Sequence, residues 1–286
     1  MNTLSSYMRY SLVNGQTLNQ IATTDRGLLY GDGLFETLLL ERQQLYLWSY
    51  HYQRLCEGCL RLGIAVPDES LLLDEMKQVI SHAQTERSII KLLITRGDGG
   101  RGYRAPTPHS ATRIIQLFDT IQSIELVKQG IRARICNTTL GRNVKLAGIK
   151  HLNRLEQVLA RSEWQHTDIH EGVMLDSEGY VVEGTMSNLF LVIDDVIVTP
   201  KLNECGVHGI IRRLLIEQQA LLPLPMKIRH VHKQELYEAN EIFFTNSLIG
   251  VWPVQQLENH RYAKVEIAGE LSQKVQTWQH EFCMQL

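Results

Sequence analysis

Lys150 lies in the run AGIKHLNRLEQ, after the small residues Ala147 and Gly148 and ahead of a polar helix-start pattern. A lysine attacks a carbonyl only as the free amine, and desolvation or a nearby positive dipole favours that form. Taken alone, Lys150 reads better as a solvated surface lysine, and only the accompanying groups overturn that. Glu183 ends the apolar run YVVEG, where a carboxylate is either met by a cation or simply reaches water past the strand end. Gly206 and Gly209, in CGVHGIIRRLL, flank a helix start, so the backbone N–H groups of Ile210 and Ile211 would point at an anion. Arg54 in HYQRL is a suitable cation for that anion, or an ordinary helix-surface arginine. Asn246 and Ser247, after EIFFT, put polar groups at a strand terminus.

Together these are an imine-forming amine, an acid for a ring nitrogen and a phosphate cradle, the parts that hold pyridoxal phosphate. A buried carboxylate keeps a pyridine nitrogen protonated, and a protonated ring accepts electrons from a breaking bond. The combination carries this reading, because each residue alone has a plainer alternative.

The elements that must position these groups show two textures. Up to about residue 115, Asn14-Gly15 marks a turn between strand-like flanks, and FETLLLE with QLYLW reads as a hairpin around Arg42 and Gln43. SYHYQRLCEGCLRLG and ESLLLDEMKQVISHA carry apolar residues at three- and four-residue steps and read as helices, followed by strands SIIKLLITR and TRIIQLF. From about residue 122, shorter strands (GIRARICNT, GVMLD, YVVEG, NLFLVI, VIVTP, MKIRHV, EIFFTN) are separated by helices. One helix is expected to open at Lys150, one at His208, and one lies near AGELSQKVQTWQHEF. Leu152, Leu155 and Leu159 fall on one face of the first, which predicts Lys150 at a helix N-terminus with its side chain outside the core. The expected fold is α/β (α+β) in two domains, residues 1–117 and 118–286, with the boundary read from texture near residues 116–122.

A formal net charge of −2 gives no global field toward nucleic acid or an anionic membrane, so small anions would be recruited by local arginines. No basic, aromatic-studded strand suggests nucleic-acid binding. Five scattered cysteines, an odd number, point to reduced thiols in a cytosol rather than a disulfide framework. Cys56 and Cys59 form a C-x-x-C without the second pair that a zinc site needs, and their helical surroundings read as packing. The N-terminus lacks a basic-then-apolar signal, and no stretch approaches the roughly 20 apolar residues of a membrane span. The expectation is a cytoplasmic protein with no metal and no membrane partner.

ITRGDGGRG contains Gly97, Gly99 and Gly102 in a G-x-G-x-x-G spacing after a strand. A dinucleotide site needs that motif to open a helix, whereas here Pro106 and Pro108 follow and TRIIQLF is a strand. The match is accidental. The loop nonetheless carries Arg101, Tyr103 and Arg104, and guanidinium groups grip carboxylates in a planar fork. It reads as a substrate-facing loop or as a solvated basic one.

With these residues in view, the chain resembles the fold-type IV pyridoxal-phosphate enzymes, which include branched-chain and D-amino acid aminotransferases and aminodeoxychorismate lyase. The resemblance is carried in order by DRGLLYGDGLFET (residues 25–37), HYQRL, GIKHLNRLEQVLAR, EGTMSNLFLV, GVHGIIRRLL and EIFFTNSLIGVWPV. Within the family, GIKHLNRLEQVLAR is most similar to the lyases. The aminotransferases more often have tyrosine where this chain has Arg154, and threonine where it has Ile211. GDGLFET and GGRGY also agree with the lyases. The resemblance implies a smaller N-terminal α/β domain and a larger pseudo-barrel domain. It implies Lys150 as the Schiff-base lysine, Glu183 as the ring-nitrogen partner, and Arg54, Ile210, Ile211 and Ser247 around the phosphate, with Asn246 beside them. Thr37 would lie near the reacting atoms, and Thr37, Arg101 and Tyr103 would meet the substrate. A homodimer is implied, acting on 4-amino-4-deoxychorismate to give 4-aminobenzoate and pyruvate for folate synthesis. An aminotransferase on the same scaffold, or a cofactor-binding relative without catalysis, are the alternatives.

Overall fold

The computed structural model describes residues 8–119 and 130–286. Its contacts define two compact units. One takes the described residues of 1–122 with Ile149–Asn153 and Gln279–Leu286; the other takes those of 123–148 and Arg154–Trp278. The segment carrying Lys150 thus belongs to the first unit, although it is distant from it in sequence. The expected boundary at 117/118 falls in the last strand before residues 120–129, which lie outside the described residues.

In the first unit, β1 (Met8–Val13), β2 (Gly33–Glu41), β3 (Gln44–Tyr46), β4 (Arg87–Thr95) and β5 (Thr112–Asp119) form an antiparallel sheet in the order β1-β5-β4-β2-β3. Residues Cys283–Gln285 add a last strand beside β3. The Asn14-Gly15 turn and the hairpin at Arg42-Gln43 both place two successive residues at positive φ, the backbone twist that joins antiparallel strands tightly. Helices α1 (Arg26–Tyr30), α2 (Trp48–Leu62) and α3 (Glu69–Ile80) complete the unit. Asp68 caps α3 by accepting from Leu71 N, and α2 ends at Gly63 in the left-handed region. Side chains alternate across β2, so Leu34, Leu38 and Leu40 share the face that joins Leu55 and Cys59 of α2 and Leu72 and Met76 of α3 in one core. Cys59 is fully buried there, and burial pushes its thiol up to about 12, the behaviour of a packing cysteine.

The second unit is built on β6 (Ile131–Ile135), β7 (Glu171–Leu175), β8 (Val181–Gly184), β9 (Asn188–Ile193), β10 (Val196–Pro200), β11 (Met226–Arg229), β12 (Glu241–Asn246) and β13 (Gly250–Leu257). They lie in the order β11-β10-β9-β12-β13-β6-β7-β8, with the short β14 (His260–Arg261) on β13. Parallel pairs β10–β11, β13–β6 and β6–β7 are mixed with antiparallel ones. The terminal strand β8 comes back against β9 and β10, so the sheet curls into a half-barrel. Helices α4 (Leu155–Arg161), α5 (Ile210–Glu217), α6 (Glu235–Glu238) and α7 (Glu266–Glu281) accompany it. The α/β (α+β) class and the larger barrel-like unit are as expected.

One local expectation is corrected. The helix expected at Lys150 begins only at Leu155, and Leu155 and Leu159 are 76% and 60% exposed instead of facing a core. β13 contains Pro253, which lacks an N–H for the ladder, and pairs with β12 opposite Phe243.

Candidate active site

Lys150 lies on an extended segment along β2. Phe35 N donates to Lys150 O at 3.1 Å, and Leu152 N donates to Gly33 O at 3.0 Å. β3 pairs only with Leu40 and Glu41, which leaves this end of β2 an edge that the segment fills. Backbone groups committed to a strand edge cannot also start a helix, which explains the later helix start. Lys150 is half-buried, with Nζ 4.2 Å from the centroid of the Phe35 ring. Thr37 shares the Phe35 face of β2, and its register partner on β4 is Lys91, whose Nζ is 5.7 Å from the same ring centroid. Sequence reading passed over Lys91; its signal was a lone cation in the apolar strand SIIKLLITR.

Glu36 lies on the buried face of β2, where alternation calls for an apolar side chain. His51 and Arg54, three residues apart on α2, meet it together. His51 Nδ1 is 2.6 Å from Oε2, Arg54 Nε donates to Oε1 at 2.8 Å, and Arg54 Nη2 donates to Oε2. Arg54 is therefore a buried cation held in one orientation by a two-point ion pair, not a helix-surface arginine. Burial works to raise Glu36, but the Arg54 charge and the bonds from His51 and Arg54 outweigh it and bring the carboxyl to about 2. Burial pushes His51 down against the pull of Glu36. The arginine already balances the carboxylate, so a second buried cation would be uncompensated; His51 is neutral and donates through Nδ1. Its Nε2 is buried without a hydrogen-bond partner. Neither Glu36 nor His51 was singled out from sequence.

In the second unit β8 carries Glu183, 4% exposed, whose Oε2 accepts Val207 N at 2.8 Å and Asn188 Nδ2 at 3.4 Å. Asn188 Nδ2 also donates to Val207 O at 2.9 Å, so the three residues close on one another. Gly206 makes this approach possible: at φ +84° a Cβ there would sit 2.9 Å from Val182 Cγ1 and 3.2 Å from Glu183 Oε2. The same turn grips the chain two residues before Lys150, since Gly148 N donates to Gly206 O at 2.8 Å and His208 N donates to Gly148 O at 3.1 Å. Arg212, also missed from sequence, is 6% exposed and donates to Pro200 O and Thr199 Oγ1. Burial lowers it to about 10 while Glu183 pulls it back up, so it stays charged at neutral pH.

Gly209 is the N-cap of α5, and no side chain caps that end. Ile210 and Ile211 have buried side chains, so the first turn offers only backbone amides to an anion. Asn246 uses its side chain internally, donating to Met186 O and accepting from Leu248 N and Ile249 N, and so shapes the turn that carries Ser247. Arg101 and Tyr103 are exposed on the β4–β5 loop of the first unit, which runs into β5 and not into a helix.

Within the first unit, then, Lys150, Phe35, Thr37 and Lys91 come together at the β2–β4 pair, with Glu36, His51 and Arg54 behind them. Within the second, Glu183, Asn188 and Arg212 gather beside the start of α5. In the second unit, a buried acid fixed by an amide with a guanidinium nearby and an uncapped helix start have the chemistry that a pyridinium and a phosphate call for; in the first, the Lys150 amine has the chemistry that a carbonyl calls for. Gly206, which only a residue without Cβ can occupy beside Glu183, completes the fit.

The pattern of the family described as amino-transferase class IV matches residues 33–257. A Vibrio harveyi aminodeoxychorismate lyase is 36% identical over 85% of this chain and 89% of its own length. An Escherichia coli branched-chain-amino-acid aminotransferase is 26% identical over 87% and 85%. The crystal structure of 4-amino-4-deoxychorismate lyase from Pseudomonas aeruginosa is 41% identical, covers 95% of this chain and 98% of that one, and superposes with a TM-score of 0.84. The site and these matches agree: the chain belongs to the amino-transferase class IV family, whose members are pyridoxal-phosphate enzymes.

Proposed function

We propose that the protein is a pyridoxal-phosphate-dependent lyase that converts 4-amino-4-deoxychorismate into 4-aminobenzoate and pyruvate, a step toward folate. The observation that carries this is its higher identity to the two lyases than to the aminotransferase at similar coverage. Arg154 after the lysine and the GGRGY loop support the same choice.

Lys150, Glu183, Arg54, the amides of Ile210 and Ile211, and Ser247 hold the cofactor, and Asn246 shapes the turn beside them. Bound pyridoxal phosphate supplies an imine for the substrate amine and an electron-poor ring. Glu183 holds a proton at the ring nitrogen. Lys150 Nζ, as free amine, takes the proton from the amine-bearing carbon of the substrate. The enolpyruvyl C–O bond then breaks and the carbocycle becomes aromatic. Lys150 or Thr37 returns one proton to the methylene carbon of the leaving group, so pyruvate departs with no net proton gained or lost. Arg101 and Tyr103 contact the substrate, the arginine through a carboxylate.

The second reading, a branched-chain or D-amino acid aminotransferase, keeps the cofactor residues and changes only the substrate contacts. The deciding experiment measures pyruvate release from aminodeoxychorismate and, separately, amino transfer from a branched-chain or D-amino acid to a keto acid. Pyruvate release without transfer supports the lyase; transfer without pyruvate release replaces it with the aminotransferase.

A cytoplasmic homodimer fits the surface. Leu155, Val158 and Leu159 leave apolar area on α4, and Leu28 and Leu29 leave it on α1, for a second copy to cover. All five cysteines are unpaired, as a reducing compartment favours. Among the described residues no helix is long and apolar enough to cross a membrane.

A further inference from the structure

The β4–β5 loop holds four glycines in six residues, Gly97, Gly99, Gly100 and Gly102, a composition that leaves a chain loose unless something holds it. Arg26 holds it. Its side chain is 4% exposed, and all three nitrogens are engaged: Nε with Asp32 at 2.8 Å, Nη1 with Gly102 O and Nη2 with Tyr103 O, both at 3.0 Å. The guanidinium lies 4.9 Å from the centroid of the Tyr30 ring, and Tyr30 Oη accepts Gly102 N at 3.2 Å. The stem of Arg26 packs against Gly99, where a Cβ would come 2.7 Å from Arg26 Cδ. Arg26 N donates to Gly97 O at 2.9 Å, and Gly99 N donates to Thr24 O at 3.2 Å. Asp32 is fixed from its other side by Arg96, which also donates to Leu62 O and Gly63 O at the end of α2. A tied backbone thus presents two exposed side chains, Arg101 and Tyr103, the latter 88% exposed.

We propose that Arg26 is a positioning residue: by fixing the carbonyls of Gly102 and Tyr103 it sets where Arg101 and Tyr103 are presented, and so how tightly an anionic substrate is gripped. This rests on the reading of the loop as a substrate contact. A loop ordered before binding loses less conformational entropy on binding, which shows in KM more than in kcat.

The test compares Arg26→Lys with Arg96→Lys in cofactor-loaded protein. Arg26→Lys keeps the charge but cannot bridge three acceptors in the plane of a guanidinium. Arg96→Lys disturbs the same Asp32 from the α2 side and leaves both loop carbonyl bonds in place. Limiting trypsin reads loop order through cleavage after Arg101 and Arg104, and KM and kcat are measured on aminodeoxychorismate. For Arg26→Lys, cleavage about tenfold faster and KM about tenfold higher, with kcat within about threefold, are expected from losing two anchoring bonds. Arg96→Lys should be cleaved at the wild-type rate. If Arg26→Lys does not fold, Tyr30→Phe removes only the acceptor for Gly102 N and should be cleaved about threefold faster. Cleavage unchanged in the loop variants overturns the proposal, and so does faster cleavage with unchanged KM. Failure of the wild type to release pyruvate sinks the functional reading separately, and the cleavage comparison still decides whether Arg26 shapes the loop.

Discussion

Val207 donates its backbone N–H to Glu183 Oε2 at 2.8 Å, while its neighbours Gly206 and His208 bond both backbone groups of Gly148. One turn therefore fixes the acid and the chain just ahead of the lysine. Glu183→Gln keeps an acceptor oxygen for Val207 but cannot hold a ring proton by charge. The variant should fold with an unchanged denaturation midpoint, while turnover falls on the order of a hundredfold or more. An unchanged kcat would remove the electron-sink role from Glu183.

Lys150 has its backbone bonded to β2 and its amine above Phe35, so replacing the side chain leaves the strand edge intact. Lys150→Ala should lose the visible imine band that borohydride abolishes in the wild type, and lose about 10² to 10⁴ in rate. Mass spectrometry of the reduced wild type should find the cofactor on the peptide containing Lys150. Full turnover in Lys150→Ala would end the proposed chemistry.

The Glu36–His51–Arg54 cluster makes stability acid-sensitive, with a sign that can be worked out. Glu36 sits at about 2 when folded against 4.5 as its ordinary value, so its contribution is full above 4.5 and is lost as pH falls toward 2. That contribution is on the order of 3 kcal/mol. Folded His51 lies below 6.5, so the unfolded chain takes up a proton that the folded site refuses, and stability falls as pH drops below 6.5. Urea midpoints for wild type and His51→Asn between pH 7 and 5 check this. The variant should be less stable at pH 7 yet show a shallower loss on acidification. Parallel curves would mean that His51 titrates normally.

Much of the architecture was legible because apolar runs such as NLFLVI and EIFFTN, covered on both faces, announce themselves. The order of blocks around Lys150 and Glu183 was legible through the family that they resemble. What stayed hidden depends on partners. β13 contains Pro253, and only its pairing with β12 shows that the missing N–H is tolerated. Periodicity at Leu152, Leu155 and Leu159 records an apolar face but not what covers it, and two of the three are exposed. Glu36 meets residues 15 and 18 positions away, a juxtaposition that follows from packing α2 on β2 and not from spacing.

Lys91 and Thr37 are register partners, and Lys91 and Lys150 both approach Phe35. A dicarboxylate substrate bound near Lys150 would find the Lys91 side chain there as a cation. Lys91→Met keeps an unbranched stem and removes the charge. It should retain the imine band and raise KM about ten- to a hundredfold, the worth of one charge-assisted contact. Unchanged KM would place the substrate carboxylates elsewhere.

Gly206 and Gly179 both have φ +84°, but they differ in surroundings, which separates backbone strain from collision. Nothing lies within 4 Å of a Cβ on Gly179, so Gly179→Ala should lose only the left-handed penalty of about 1–2 kcal/mol and bind the cofactor normally. At Gly206 the new methyl meets Val182 and Leu202 at 2.9 Å and Glu183 Oε2 at 3.2 Å, and the turn must shift. A shift there lengthens the Val207 bond to Glu183 and the bonds to Gly148 together. Gly206→Ala should therefore lose about 1–3 kcal/mol more than Gly179→Ala, the usual range for overpacking, and bind pyridoxal phosphate at least about tenfold more weakly. Urea midpoints of the cofactor-free proteins and fluorescence titration with the cofactor read the two effects apart. Equal losses in the two variants would show that the turn at 206 bears no special relation to Glu183.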